Sequence, residues 1–165
     1  MAITLQGSTK NGFDFSYPSS GTGFSLPAII NNLGTTAYTS GSGNNQVNLS
    51  FVSLARAPSG TTETIDLDAG TLVDIYGRAL TFTAVKLLII RNLATTTITL
   101  TGDFMTQAAV GIAAGGRIIG AMGIEYWEHP QGGYPVTATT ADQIIFTYTA
   151  ETTYDLIILG VGTVP

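Results

Sequence analysis

Cysteine is absent from the 165 residues, which excludes disulfides, thiolate nucleophiles and Cys-ligated metals and leaves the redox compartment open. Charge is also scarce: Asp, Glu, Lys and Arg make up 10% of the chain, against roughly a quarter in ordinary soluble domains. The basic residues, Lys10, Arg56, Arg78, Lys86, Arg91 and Arg117, are scattered among eleven acidic ones, for a net charge of −5. They form no basic patch for phosphates, so a nucleic-acid partner is not expected. A long apolar run is missing as well. Ala108 to Ile124 comes nearest and has Gly111 and Gly115 at a spacing found in packed membrane helices. Yet it falls short of ~20 apolar residues and carries Arg117 in its middle. Buried strands around a Gly-Gly turn are expected there, and no membrane partner. MAITLQGSTK lacks the basic start and apolar run of a secretory signal, so export by that route is not expected.

What replaces charge is hydroxyl and amide. Thr alone occurs 26 times, and a monomer of this size exposes roughly 7,800 Å² that so few ionised groups cover thinly. Such a surface hydrogen-bonds well and repels its own copies poorly. It suits a component of an oligomer or assembly, partly covered by other subunits.

The length fits one domain. Residues 1–46 are rich in Gly, Ser, Thr and Asn, and SGSGNNQ, from Ser40 to Gln46, reads as a flexible connection. Apolar islands lie within this stretch: Phe13, Phe15 and Tyr17, then Phe24, Leu26, Ala28, Ile29 and Ile30. They need a surface to pack on, which makes the segment a wrap around its own domain, an arm onto a neighbour, or an ordinary first strand or two.

Residues 47–165 read as successive strands. VNLSFVSLA puts Val47, Leu49 and Phe51 on one face by its period of two, and TETIDL turns Ile65 and Leu67 inward. KLLIIRN is apolar on both sides and predicts a central strand covered on each face. TTITLTG alternates Ile98 and Leu100 against Thr97, Thr99 and Thr101, as on a half-solvated antiparallel strand. QIIFTYTA and YDLIILGVG read as a matched pair joined by ETT, with Gly160 and Gly162 loosening the chain toward its end. LVDIYG, from Leu72 to Gly77, reads as one helical turn. Short strands, Gly-rich turns and no long helical period predict an all-β fold, a jelly-roll-like antiparallel β-sandwich with a loose N-terminal arm.

The chain's single Trp and single His fall together in EYWEHPQGGYP, from Glu125 to Pro135. Glu125, Glu128 and His129 are too few and of the wrong types for a catalytic zinc, which takes three rigidly held ligands with at least two His as a rule; Pro130 ends any helix that would hold them. A glycosidase pair works from opposite sides of a sugar at roughly 5–9.5 Å and comes from different elements. The residue types suit contact better than reaction: Tyr126, Trp127, His129 and Tyr134, with Gly132 and Gly133 permitting a sharp turn, offer large area at little entropic cost. The alternative is an aromatic strand end that closes the sandwich. IDLDAG, from Ile65 to Gly70, begins like a calcium loop, but Gly70 stands at the third ligand position and Gly77 where a closing Glu belongs. Strand alternation accounts for Asp66 and Asp68 instead. Nucleophile elbows, phosphate loops and dinucleotide fingerprints are missing. No enzyme, metal or cofactor is therefore expected.

LTFTAVKLLIIRNLATTTITLTG, followed by GGYPVTATTADQIIFTYTAETTYDLIILG, resembles a pattern in small β-rich virion proteins of tailed bacteriophages. An apolar strand ends in Asn (Val85 to Asn92), a Thr-rich strand follows (Thr97 to Gly102), a Gly-containing loop intervenes, and strands Asp142 to Thr149 and Tyr154 to Gly160 close the pattern. The likeness runs from Leu80 to Gly160. It implies an accessory virion piece of the decoration or cement type, homotrimeric, made in the host cytoplasm and bound to the major capsid protein on the capsid surface. A head-fibre or tail-fibre module binding a host surface glycan is the alternative. On either reading the partner-contact candidates are Phe13, Phe15, Tyr17, Tyr126, Trp127, His129 and Tyr134.

Overall fold

The computed structural model describes residues 6–10 and 12–16 as backbone strands and residues 36–149 and 152–164 with their side chains. In chain order the strands are β1 (Gln6–Lys10), β2 (Gly12–Ser16), β3 (Ala37–Ser40), β4 (Gln46–Val47), β5 (Leu49–Arg56), β6 (Thr62–Asp66), β7 (Leu72–Val73), β8 (Ala79–Asn92) and β9 (Ile98–Thr101). After the single helical turn α1 (Asp103–Thr106) come β10 (Arg117–Ile119), β11 (Ile124–Glu128), β12 (Tyr134–Pro135), β13 (Gln143–Tyr148) and β14 (Tyr154–Thr163). Among the described residues no helix is long and apolar enough to cross a membrane.

KLLIIRN lies in β8, at the centre of a sheet ordered β11-β8-β14-β5, with β12 and β7 also pairing along β8. Ile90 pairs with Leu156, Ile89 with Ile157, Leu88 with Ile158 and Leu87 with Leu159. Side chains alternate across a strand, so Leu88, Ile90, Leu156 and Ile158 face the main core while Leu87, Ile89, Ile157 and Leu159 face the other way. All eight are buried. The expected strand covered on each face is therefore β8, and β14 shares its character.

The second sheet is ordered β10-β9-β13-β6. It packs on the first through Ile65, Ile98, Leu100, Ile144 and Phe146, which meet Leu49, Phe51, Phe82, Leu88 and Leu156 in one apolar cluster. Phe146 stacks on Tyr154 at 4.6 Å between ring centres. Such a pair adds about 0.5–1.5 kcal/mol beyond its burial. Leaving aside β7 and β12 and counting the other eight strands of these two sheets in chain order, one sheet runs first, eighth, third, sixth and the other second, seventh, fourth, fifth. The result is an all-β antiparallel sandwich. Tyr38 of β3 and Val47 of β4 are buried outside the main cluster. The Tyr38 hydroxyl donates to Glu128 Oε1 at 3.0 Å, and the Asn45 amide to the Pro130 carbonyl at 2.8 Å, so residues 36–47 are fastened to the first sheet.

Four local expectations change. LVDIYG is not a helical turn: β7 pairs with β8 and then reverses at Asp74, whose carboxylate accepts the Tyr76 and Arg78 amides at 2.9 Å each. Val47 is buried, but apart from Leu49 and Phe51, because the chain breaks its ladder at Asn48. Between Ala108 and Ile124 a strand follows the Gly-Gly turn but none precedes it, and that strand, β10, is a sheet edge with Ile118 exposed. Finally, β13 and β14 pair with other strands rather than with each other and face across the core, one in each sheet.

Gly160 and Gly162 have a different job from the one expected. Both lie inside β14, at irregularities in its register with β8. A methyl group at Gly160 would collide with the Ala84 carbonyl oxygen, and one at Gly162 with that of Thr81. Those oxygens belong to backbone in the ladder and cannot step aside. Gly160→Ala and Gly162→Ala are each expected to destabilise the protein by about 1–3 kcal/mol, read as a lower denaturant midpoint at unchanged slope. Variants as stable as the parent would contradict this close approach of the two strands.

Candidate interaction surface

EYWEHPQGGYP becomes β11, a five-residue reversal and β12, all held along β8. Trp127 lies opposite Leu88 and Glu125 opposite Ile90, on the core side, while Tyr126 and Glu128 lie opposite Ile89 and Leu87 on the outer side. Trp127 accordingly packs on the core cluster, Tyr126 stays exposed, and Glu128 accepts the Tyr38 hydroxyl. Burial, reinforced by the Glu128 carboxylate, holds the Tyr38 phenol well above its usual range.

His129 Nδ1 accepts the Gly133 amide at 2.8 Å, closing a turn in which Gly133 has a φ of 79°. Tyr134 is buried, its hydroxyl 3.2 Å from the Glu128 carbonyl that accepts it. The strand thus separates Glu125 from Glu128 and spends the imidazole on the turn. Of the contact candidates in this stretch, Tyr126 and His129 are exposed, the latter with its Nδ1 engaged in the turn, while Trp127 and Tyr134 turn inward. The side chains of Phe13 and Phe15, and Tyr17 altogether, lie outside the described residues.

The scattered basic residues all find partners inside the fold where their side chains are described. Arg56 of β5 meets Glu63 of β6, and Arg117 of β10 meets Glu125 of β11. Each pair joins one sheet to the other, so both margins of the sandwich carry an Arg–Glu link. Tyr154 adds a third member to the first, its hydroxyl 2.5 Å from Glu63 Oε2; the bond to Glu63 raises the Arg56 guanidinium above its usual value. Arg78 pairs with Asp74 at 2.5 Å, and Arg91 with Asp155 at 2.8 Å. Lys86 is buried with its ammonium among the carbonyls of Gly43, Pro130 and Gln131, and burial pushes it below the usual lysine range.

Two features stand apart from these ion pairs. One is apolar: Ile118 and Met122 are 62% and 66% exposed, and Ile124 and Tyr126, on the outer side of the first sheet, are exposed as well. They sit on β10, on β11 and on the turn between, where each sheet has an edge strand with unpaired backbone groups. Met122 holds that turn in the left-handed region at a φ of 56°, a conformation uncommon outside glycine.

The other feature is acidic. Asp66 ends β6, Asp68 follows it in the loop, and Asp142 immediately precedes β13; an oxygen from each lies within 4.8 Å of the others. Loss of solvent, then the neighbouring carboxylates of Asp66 and Asp142, raises the Asp68 carboxyl. Strand alternation foretold the placement of the first two but gave no sign of the third. Only the D-x-D spacing hinted at this group.

Compared with family models, curated proteins and solved structures, the chain matches none.

The different placements of neighbouring aromatics can be measured. Trp127→Ala is expected to lower stability by about 2–4 kcal/mol, because it opens space against the core. Tyr126→Ala should stay within about 0.5 kcal/mol, as an exposed substitution does. Thermal or chemical denaturation of the two variants checks the ordering, and equal effects would refute it.

Proposed function

We propose that this protein is a structural virion component, a capsid decoration or cement protein that assembles as a homotrimer on the major capsid protein and performs no catalysis. The observation that carries this reading is the exposed apolar edge of Ile118, Met122, Ile124 and Tyr126 on a molecule whose described cations are all engaged internally. An uncovered edge strand with apolar side chains invites pairing with another chain, and a molecule that works alone blunts it with charge. Here Arg117 is tied to Glu125 and does not play that part. Burying one large apolar side chain such as Ile or Met contributes about 1.5–3 kcal/mol, so Ile118, Met122 and Ile124 in each copy, with the Tyr126 ring, can hold an interface.

The fold adds support. The order first, eighth, third, sixth against second, seventh, fourth, fifth reads as a jelly roll, an architecture used by capsid and lectin domains. The resemblance running from Leu80 to Gly160 points to accessory pieces of phage heads. A closed ring of three needs two different surfaces on each copy. The β10–β11 edge is one of them, and the β5 margin, where Leu54 is exposed, is the other. Within the segment 1–46, residues 36–46 are fastened to the first sheet, and the part before them serves as the arm that reaches the neighbour or the capsid. The location is the virion surface, after synthesis in the host cytoplasm.

Sedimentation of the purified chain should give a trimer, and replacing Ile118 and Met122 together with Glu should release folded monomers with at least tenfold weaker association. Loss of capsid binding in the same variant supports the cement role. A wild-type chain that stays monomeric at high concentration overturns the reading. Glycan binding abolished by Tyr126→Ala, with assembly intact, transfers it to a fibre module.

A further inference from the structure

We propose that Asp66, Asp68 and Asp142 bind one calcium ion at the end of the β6–β13 pair. Their ligand oxygens lie within 4.8 Å of one another, a span that one ion with oxygen ligands at roughly 2.3–2.6 Å bridges. Nothing described on this chain neutralises them: Arg56, Arg78, Arg91 and Arg117 pair with other carboxylates, and Lys86 lies among carbonyls.

The second observation is Asp142 itself. It is 4% exposed; its Oδ2 accepts the Thr139 amide at 2.6 Å, while its Oδ1 is buried with no hydrogen-bond partner. A buried carboxylate oxygen without a donor is an expensive arrangement, and native proteins keep few of them without a ligand or a role. A cation on this group would satisfy that oxygen and offset three like charges together.

The backbone holds the three side chains ready. Leu67, between Asp66 and Asp68, is fully buried, and its amide donates to the Asp142 carbonyl at 2.9 Å. Asp103 Oδ1 accepts the Asp142 and Gln143 amides at 3.1 and 2.7 Å from the far side. Asp66 Oδ1 accepts the amides of Asp68 and Ala69, which folds the loop back over the strand end. Two strands and a loop therefore converge on one point through main-chain bonds, before any ion arrives.

An all-oxygen donor set selects a hard cation. Calcium fits better than magnesium. Asp66 and Asp68 are partly exposed and leave room for water ligands in an irregular shell, whereas magnesium demands a near-ideal octahedron and dehydrates reluctantly. This site differs from the loop motif that IDLDAG begins: its third carboxylate comes from the far end of the chain, so the missing residues of the loop do not count against it.

The test is a titration of chelator-treated full-length protein with calcium chloride, followed by calorimetry and by melting temperature. Saturable binding of one ion per chain, at a Kd of roughly 10⁻⁴–10⁻³ M or tighter, with a melting temperature that climbs with calcium, is the expected result. Asp142→Asn and Asp68→Asn should each weaken binding at least tenfold, while Asp74→Asn, a carboxylate paired elsewhere, should leave it unchanged. Asp68→Asn guards against a folding artefact, because it removes like-charge repulsion at a partly exposed position and should melt no lower than the metal-free parent. Absence of saturable heat at roughly millimolar calcium overturns the proposal. So does an Asp68→Asn variant that binds as tightly as the parent, and so does magnesium competing on equal terms.

Discussion

Because β8 and β14 pair side by side from Tyr154 to Thr163 and carry apolar residues on both faces, the rest of the chain has to supply two coverings. The second sheet is one covering, through Ile65, Ile98, Leu100, Ile144 and Phe146. On the opposite face residues 36–47 are fastened by Tyr38 and Asn45, and Lys86 lies beside them. The two strands stay close enough for this because Gly160 and Gly162 carry no Cβ where the backbone of β8 passes. Area-proportional burial dominates the energetics of such a fold, at roughly 25 cal/mol per Å².

The ion pairs act on top of that term and in a different way. A partly exposed pair such as Arg117–Glu125 contributes about 0–1 kcal/mol. Its use is geometric: together with Arg56–Glu63 it fixes how the sheets meet at their two margins. Deleting Glu63, which also accepts the hydroxyl of buried Tyr154, leaves that hydroxyl without its acceptor and costs about 1–3 kcal/mol. The sparse charge of the composition is therefore largely structural, and little of it is left to patrol the surface.

The strands were legible because period-two alternation is a local signal. Ile65 with Leu67, and Ile98 with Leu100, are buried where alternation put them, and the two-sided run of β8 proved central. Partnership is not local, which is why β13 and β14 read as a pair although each belongs to a different sheet. The same limit applies to the surface features. Ile118 and Met122 look like core residues in sequence and are exposed because β10 has a neighbour on one side alone. Trp127 carried a contact signal by residue type, but its register opposite Leu88 turns it inward. Asp142 could not be joined to Asp66 and Asp68 by any spacing rule, since the antiparallel register of β6 with β13 makes the group.

The apolar edge and the carboxylate group occupy different parts of the molecule, yet charge couples them. Each copy carries −5, and with its described cations paired internally the surplus is carried by the remaining acids, Asp66, Asp68 and Asp142 among them. If copies associate along β10–β11 as proposed, they would repel one another over a screening length of about 8 Å in physiological salt, so apolar contact would have to exceed that repulsion. A divalent ion held by the three carboxylates would take each copy from −5 to −3, since −5 + 2 = −3. It would do so without touching the interface. Calcium and self-association would then favour each other through the net charge, with a linkage that weakens as salt rises.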